Sequence, residues 1–251
     1  MDERKKAILR AVVDNYIQSA EPVGSRALAG QPGLDVSSAT LRHEMAALEA
    51  MGFLEQPHTS AGRVPTPSGY RVYVDELMRK HDLTPDEQDT LNQVKKLRMA
   101  ELDSLLNRAG RIIAELTRTV TVAAAGPAGR RPEVREEQVF VSGEANLLDY
   151  PEFQDLLRAR RTLEYVTGQR AALIRQAPVW ERDGVRVVIG PENAATELSD
   201  ASVLMATYPM SGGMRGMIGV VGPTRMDYSR MVSRLGYFAE KLKEMTAEET
   251  E

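Results

Sequence analysis

The sequence predicts an α+β chain: an N-terminal winged helix-turn-helix, a long linking helix, and a C-terminal domain of sheet and helices. Three observations carry this. Helix-period stretches in the first 51 residues are followed by a ribbon pattern around a turn-rich tip. Between 102 and 116, apolar residues recur in steps of three and four. Beyond 119, short apolar runs meet at glycine-rich turns, with helical patterns at either side.

Residues 3–19 form the first expected helix, because Ile8, Leu9, Val12, Val13, Tyr16 and Ile17 share one face. Pro22 allows a fresh start, and Val23 to Ala29 is a short second helix ended by Gly30 and the Gln31-Pro32-Gly33 turn. Ser37 or Ser38 caps a third helix running to about Met51, and Gly52 stops it. Phe53 to Gln56 and Arg63 to Thr66 pair as a ribbon about the tip Pro57 to Gly62. Thr66 caps a fourth helix with Pro67 at its first position. One long helix is expected from about Pro85 to Arg118, with Leu102, Leu105, Ala109, Ile112 and Leu116 as a candidate dimer seam or a face packed on its own domain. Strands follow at 120–123 and 138–141, with 125–132 as the loop between them, and then a helix from Pro151 to about Val166. Strands 185–189, 201–208 and 214–221 come next, the last two joined at Ser211-Gly212-Gly213, and a helix from Asp227 closes the chain. The expected domains are therefore 1–80, 81–118 and 119–251.

Composition narrows the functions. There is no cysteine, which removes disulfides, thiolate metal sites and cysteine nucleophiles and fits a cytoplasmic protein. No apolar run is long enough to span a membrane. The net charge is −4, and residues 1–80 carry as many acidic as basic side chains. Attraction to DNA must then come from charge gathered on one face. The three histidines, His43, His58 and His81, lie in or beside the winged helix, and no nucleophile or phosphate-loop motif occurs, so neither an enzyme nor a cofactor or metal site is expected. The stretch Gly222 to Asp227 reads either as an anion-binding loop or as a helix cap formed by Thr224.

The third helix is the candidate reading head. With Leu41 as reference, Met45 and Leu48 fall within about 40° of it and face the core. Ala39, Thr40 and His43 fall on the far side and Arg42 on its flank, giving the small residues and donors that a major-groove helix needs. Ser37, Ser38 and the helix start can hold a phosphate. The ribbon tip adds His58, Thr59, Ser60 and Arg63, which suit backbone or minor-groove contacts, and Arg26 and Arg71 are placed on the same side. A solvated amphipathic helix and a plain polar hairpin are the alternatives.

Three stretches, Ser38-Ala39-Thr40-Leu41-Arg42-His43-Glu44-Met45, Leu48-Glu49-Ala50-Met51-Gly52 and Glu55 to Thr66, followed by Gly69-Tyr70-Arg71, resemble the HrcA family of heat-inducible transcription repressors. Val188-Ile189-Gly190-Pro191-Glu192-Asn193, Leu198-Ser199-Asp200 and Ile218 to Tyr228 resemble that family's C-terminal part. The resemblance covers nearly the whole chain. It implies a dimeric repressor that binds an inverted-repeat operator, the CIRCE element, upstream of chaperone operons. It also implies a GAF-like second domain with an inserted dimerisation domain, and a GroEL-type chaperonin as partner. Two departures are visible. His43 stands where the family usually has Asn, and the chain is several dozen residues short between Ala125 and Glu137, where the inserted domain belongs. The expected homodimer then rests on the helical seam or on the C-terminal sheet domain. Two other functions are kept open: a winged-helix repressor gated by a small molecule, and an interaction module that no longer binds DNA.

Overall fold

A computed structural model describes residues 1–34, 36–58, 61–92, 102–128, 134–175, 181–182 and 184–247. The chain divides into two compact units, one of Met1–Arg79 with Thr224–Ser229, the other of Lys80–Pro223 with Arg230–Glu251.

The first unit begins with α1 (Glu3–Ser19), α2 (Ser25–Leu28) and α3 (Ser38–Ala50). Asp2 caps α1 by accepting the Lys5 N–H at 2.8 Å. Ile8, Leu9, Val12 and Val13 are buried, as are Leu41, Met45 and Leu48 of α3, as their three- and four-residue spacing requires. Strands β1 (Leu54–Glu55) and β2 (Val64–Pro65) pair antiparallel, Leu54 opposite Pro65. Val23 exchanges two backbone hydrogen bonds with Arg63, each 2.9 Å, so the wing is rooted on the segment before α2. Only glycine fits at position 62, because a Cβ there would overlap the Val23 backbone. The helix α4 (Pro67–Val72) is capped by Thr66, whose hydroxyl accepts from the Gly69 N–H at 3.1 Å and donates to the Gly52 carbonyl at 2.6 Å.

Residues 224–229 complete this unit, which the sequence reading did not foresee. Tyr228 is fully buried and its ring centre lies 5.8 Å from that of Tyr70. Arg225 donates to the Ile17 carbonyl at 3.0 Å, and Ser229 donates to the Arg79 carbonyl at 2.6 Å. Thr224 does not stand at the position that caps the last helix. The last helix, α9 (Tyr228–Ala247), starts four residues later, and the Thr224 carbonyl accepts the Tyr228 hydroxyl instead.

The second unit is built on a six-stranded antiparallel sheet. Its strands are β3 (Val120–Pro127), β4 (Val139–Ser142), β5 (Glu181–Arg182), β6 (Val185–Ile189), β7 (Ala201–Met210) and β8 (Met214–Pro223), in the order β4-β3-β8-β7-β6-β5. Its helices are α5 (Pro85–Asn92), α6 (Leu102–Thr117), α7 (Leu156–Gly168), α8 (Arg170–Arg175) and the body of α9. Alternation sorts the strand residues between two faces. Val120, Val122 and Ala124 join Val139, Val188, Val203, Met205, Met217 and Val221 in one core with Phe153, Tyr165 and Ile174. On the other face α6 approaches closely, with Gly110 against Ser142 and Ala123. Among the methionines of the C-terminal third, Met205, Met217, Met226 and Met231 are buried and serve as packing.

Several expectations are corrected here. The helix drawn from Pro85 to Arg118 is seen as α5 and α6, and residues 93–101 lie outside the described ones. It is not a free linker, since α6 lies on the sheet. Its buried face holds Leu105, Leu106, Ala109, Gly110, Ile113, Ala114 and Thr117, rotated by about 70° from the seam as drawn. Leu105 and Ala109 are thus committed to the core of their own unit, while Leu102, Ile112 and Leu116 are half-buried on its flank. The loop expected at 125–132 starts late, because β3 runs on through Gly126 and Pro127, paired with Arg215 and Met214. The helix expected from Pro151 is a single 3-10 turn at Pro151–Phe153, then α7.

The stretch from Gly190 to Ala201 owes its shape to one buried side chain. The Asn193 amide donates to the carbonyls of Gly190 at 2.7 Å, Leu198 at 3.1 Å and Ala201 at 3.0 Å. Asn193→Ala should lower stability by about 1–3 kcal/mol, because buried carbonyls lose their donor. Urea unfolding of the variant checks this, with an unchanged midpoint as the contrary result.

Candidate nucleic-acid interface

The outward face of α3 is small at its centre and polar at its sides. Ala39, Arg42, His43, Ala46 and Ala50 are exposed, and Leu41, Met45 and Leu48 are buried behind them. Ala46 and Ala50 were missed from sequence, although the same 3.6-residue period places them there. Alanines along the centre let the helix backbone come close to a groove floor and can touch a thymine methyl, while Arg42 and His43 bring donors.

The start of α3 is held by its own hydroxyls. Ser37 accepts the Thr40 N–H at 3.2 Å, and the Ser37 and Thr40 hydroxyls lie 3.0 Å apart. The Ser38 hydroxyl is 3.0 Å from that of Ser25, which ties the start of α3 to the start of α2. These residues therefore set the pitch of the helix, and only Ser37 is also exposed. From behind, Lys5 of α1 reaches Glu44 at 3.0 Å and Arg4 reaches it at 3.7 Å, which anchors α3 on its inner side.

Three of the expected arginines come together. Arg26, Arg42 and Arg63 line one concavity of about 420 Å3 with Gly24, Gln56 and Gly62. Arg26 and Arg42 are exposed, but Arg63 is not a free head. Its guanidinium donates through Nε at 2.9 Å to Oε2 of Glu49, with a second nitrogen at 2.8 Å, and its side chain is only 14% exposed. The position expected to touch phosphate is thus spent on clamping the wing to α3. Arg71 is likewise drawn away: it pairs with Asp75 at 3.2 Å and does not line this concavity. At the tip His58 is exposed, its carbonyl accepting the Ala61 N–H at 2.9 Å, and Gln56 donates to the Ala61 carbonyl at 2.9 Å. Thr59 and Ser60 lie outside the described residues.

The Arg63 clamp leads to a measurable outcome. Arg63→Ala and Glu49→Ala should each lower stability by about 1 kcal/mol, and the double variant by hardly more than either. Glu49→Ala should not tighten DNA binding. A clear gain in affinity on freeing Arg63 would return it to the contact surface.

Among the described residues no group of three histidine, aspartate or glutamate side chains could hold a metal, and no helix is long and apolar enough to cross a membrane. The same unit carries a second concavity of about 430 Å3 between Arg10, Asp14, Tyr73, Arg79 and Asp227. Burial pushes the Asp14 carboxyl above its usual range, partly offset by the Tyr73 hydroxyl that donates to it at 2.7 Å.

Comparison with known proteins gives a consistent picture. The family described as HrcA protein C terminal domain matches residues 130–232. The heat-inducible transcription repressor HrcA of Moorella thermoacetica is 32% identical over 336 aligned positions, covering 97% of each chain. That of Acetivibrio thermocellus is 30% identical over 337 positions, covering 97% of this chain and 96% of the relative. With 251 residues here, the relatives carry several dozen residues that have no counterpart. A crystal structure of a hypothetical protein, 20% identical, matches with a TM-score of 0.72 over 99% of both chains, a likeness of fold.

Proposed function

Since this chain belongs to the HrcA family of heat-inducible transcription repressors, we propose that it represses heat-shock genes by occupying operator DNA with its first unit. The observation that carries this is the exposed face of α3, with alanines at its centre and Arg42 and His43 at its sides, beside the concavity shared with Arg26. Arg26, Arg42 and the start of α3 position the protein on phosphates, and His43 reads a base edge. The second unit is the GAF-like regulatory part. It acts in the cytoplasm, on chromosomal DNA and without chemistry of its own.

The operator in this reading is an inverted repeat of the CIRCE type before chaperone genes, gripped by a homodimer whose activity a GroEL-type chaperonin sustains. Footprinting of the full-length protein on the host's chaperone promoters tests it. A protected inverted repeat is the expected result, and uniform weak retention of every duplex would overturn it. His43→Ala should alter preference at one base pair in each half-site by about 1–3 kcal/mol while leaving the other positions as they were. Binding to a set of single-base operator variants measures that change.

A further inference from the structure

We infer that the start of α7 is a self-association surface whose partner is a second copy of this chain. Of the five exposed large apolar residues among those described, three lie within ten positions: Leu148 at 51% exposure, Leu156 at 77% and Leu157 at 73%. The 3-10 turn Glu144–Asp149, which carries Leu148, packs against α7, which carries Leu156 and Leu157. Leucines so open to water lose little on being covered and gain the hydrophobic term.

Charge says what covers them. In the chain Asp149 precedes Leu156 and Leu157, and Arg160 and Arg161 follow them one turn along α7. The surface thus runs acid, leucine, base. Laid antiparallel on a copy of itself about a two-fold axis at Leu157, the acid end of each chain meets the basic end of the other. Arg160 is already engaged with Glu164 at 2.6 Å, which leaves Arg161 as the cross-partner for Asp149. A shallow concavity of about 430 Å3 opens between Leu157, Arg161 and Tyr165 and can take the partner's leucine. Three leucines cover only part of the ~800 Å2 that a standard interface buries on each side, so the free dimer is weak.

This deepens the repressor reading, because an inverted repeat needs a two-fold dimer. Its test uses no DNA, so the two readings can fail separately. Sedimentation equilibrium of the full-length protein from micromolar to hundred-micromolar concentration should show a reversible monomer–dimer equilibrium. Leu157→Glu should leave the thermal unfolding curve in place and the protein monomeric throughout. Arg161→Glu and Asp149→Arg should each weaken association by roughly tenfold or more through like-charge contacts. Mixed in equal amounts, these two variants should associate as well as the unaltered protein, since both cross-pairs are then opposite in sign. A protein that is monomeric at every concentration, a dimer indifferent to Leu157→Glu, or a mixture no better than its components would overturn the proposal.

Discussion

Ala39→Glu should abolish operator binding while leaving the protein as stable as before. Ala39 is exposed in the first turn of α3, where a carboxylate meets the positive end of the helix and stabilises it by up to about 1 kcal/mol. In the proposed docking the same carboxylate points at the DNA. Like-charge juxtaposition at a docked surface costs several kcal/mol, and about 3 kcal/mol is already more than a hundredfold in affinity. Ala39→Ser, of nearly the same size and uncharged, should bind close to normally. For the unaltered protein, affinity should fall by roughly 10³–10⁵ between 50 and 200 mM salt if a dimer makes six to ten phosphate contacts. Mobility shifts across a salt series, with thermal unfolding in parallel, measure both. If Ala39→Glu binds as tightly as the unaltered protein, α3 is not the reading head.

Arg234→Met should be the most destabilising single change in the second unit. Arg234 of α9 is nearly buried, pairs through two nitrogens with Glu87 of α5, and donates to the Leu116 carbonyl of α6 at 2.9 Å. Glu87 also accepts the Thr84 N–H at 2.8 Å, closing a capping box at the start of α5. Burial alone would raise the Glu87 carboxyl, but the Arg234 guanidinium and the Thr84 N–H outweigh it and hold it at about 2. Removing the guanidinium leaves a carboxylate out of water without its partner, which costs about 3–5 kcal/mol. Replacing both, as Arg234→Met with Glu87→Leu, should restore most of that loss. Because the carboxyl is held below its unfolded value of 4.5, its contribution is complete above that pH and disappears as the pH falls toward about 2. The acid limb of the stability curve should flatten in the double variant. Unchanged urea midpoints for Arg234→Met would show that the pair contributes nothing.

Local pattern was enough wherever an element is held by its own near neighbours. The face of α3, its cap at Ser37, the ribbon and the Ser211–Gly213 hairpin all follow from spacing and turn chemistry within a few residues. What escaped is what distant residues decide. Arg63 reads as a basic wing tip until Glu49, fourteen positions earlier in the chain, is found to hold it. The stripe at 102–116 suggests a dimer seam because leucines and isoleucines dominate it. Gly110, small and easily passed over, marks the true inner face, where α6 comes close to β3 and β4. Helix α8 and strand β5 are six and two residues long, too short to show a period of either kind. Pro127 reads as part of a loop, yet it needs no N–H where β3 finishes.

The six residues from Thr224 to Ser229 have a practical consequence for anyone who wishes to cut this protein apart. They lie more than 140 positions beyond Arg79, yet they supply the buried Tyr228 that meets Tyr70, and the donors that satisfy the carbonyls of Ile17 and Arg79. A gene fragment ending after residue 79 would encode every helix of the winged fold and still expose the Tyr70 ring and strand those two carbonyls. The first unit is therefore not portable. Transplanted onto another regulator it should be soluble only with a linker that returns residues 224–229 to their place, and natural recombination at residue 80 would meet the same obstacle.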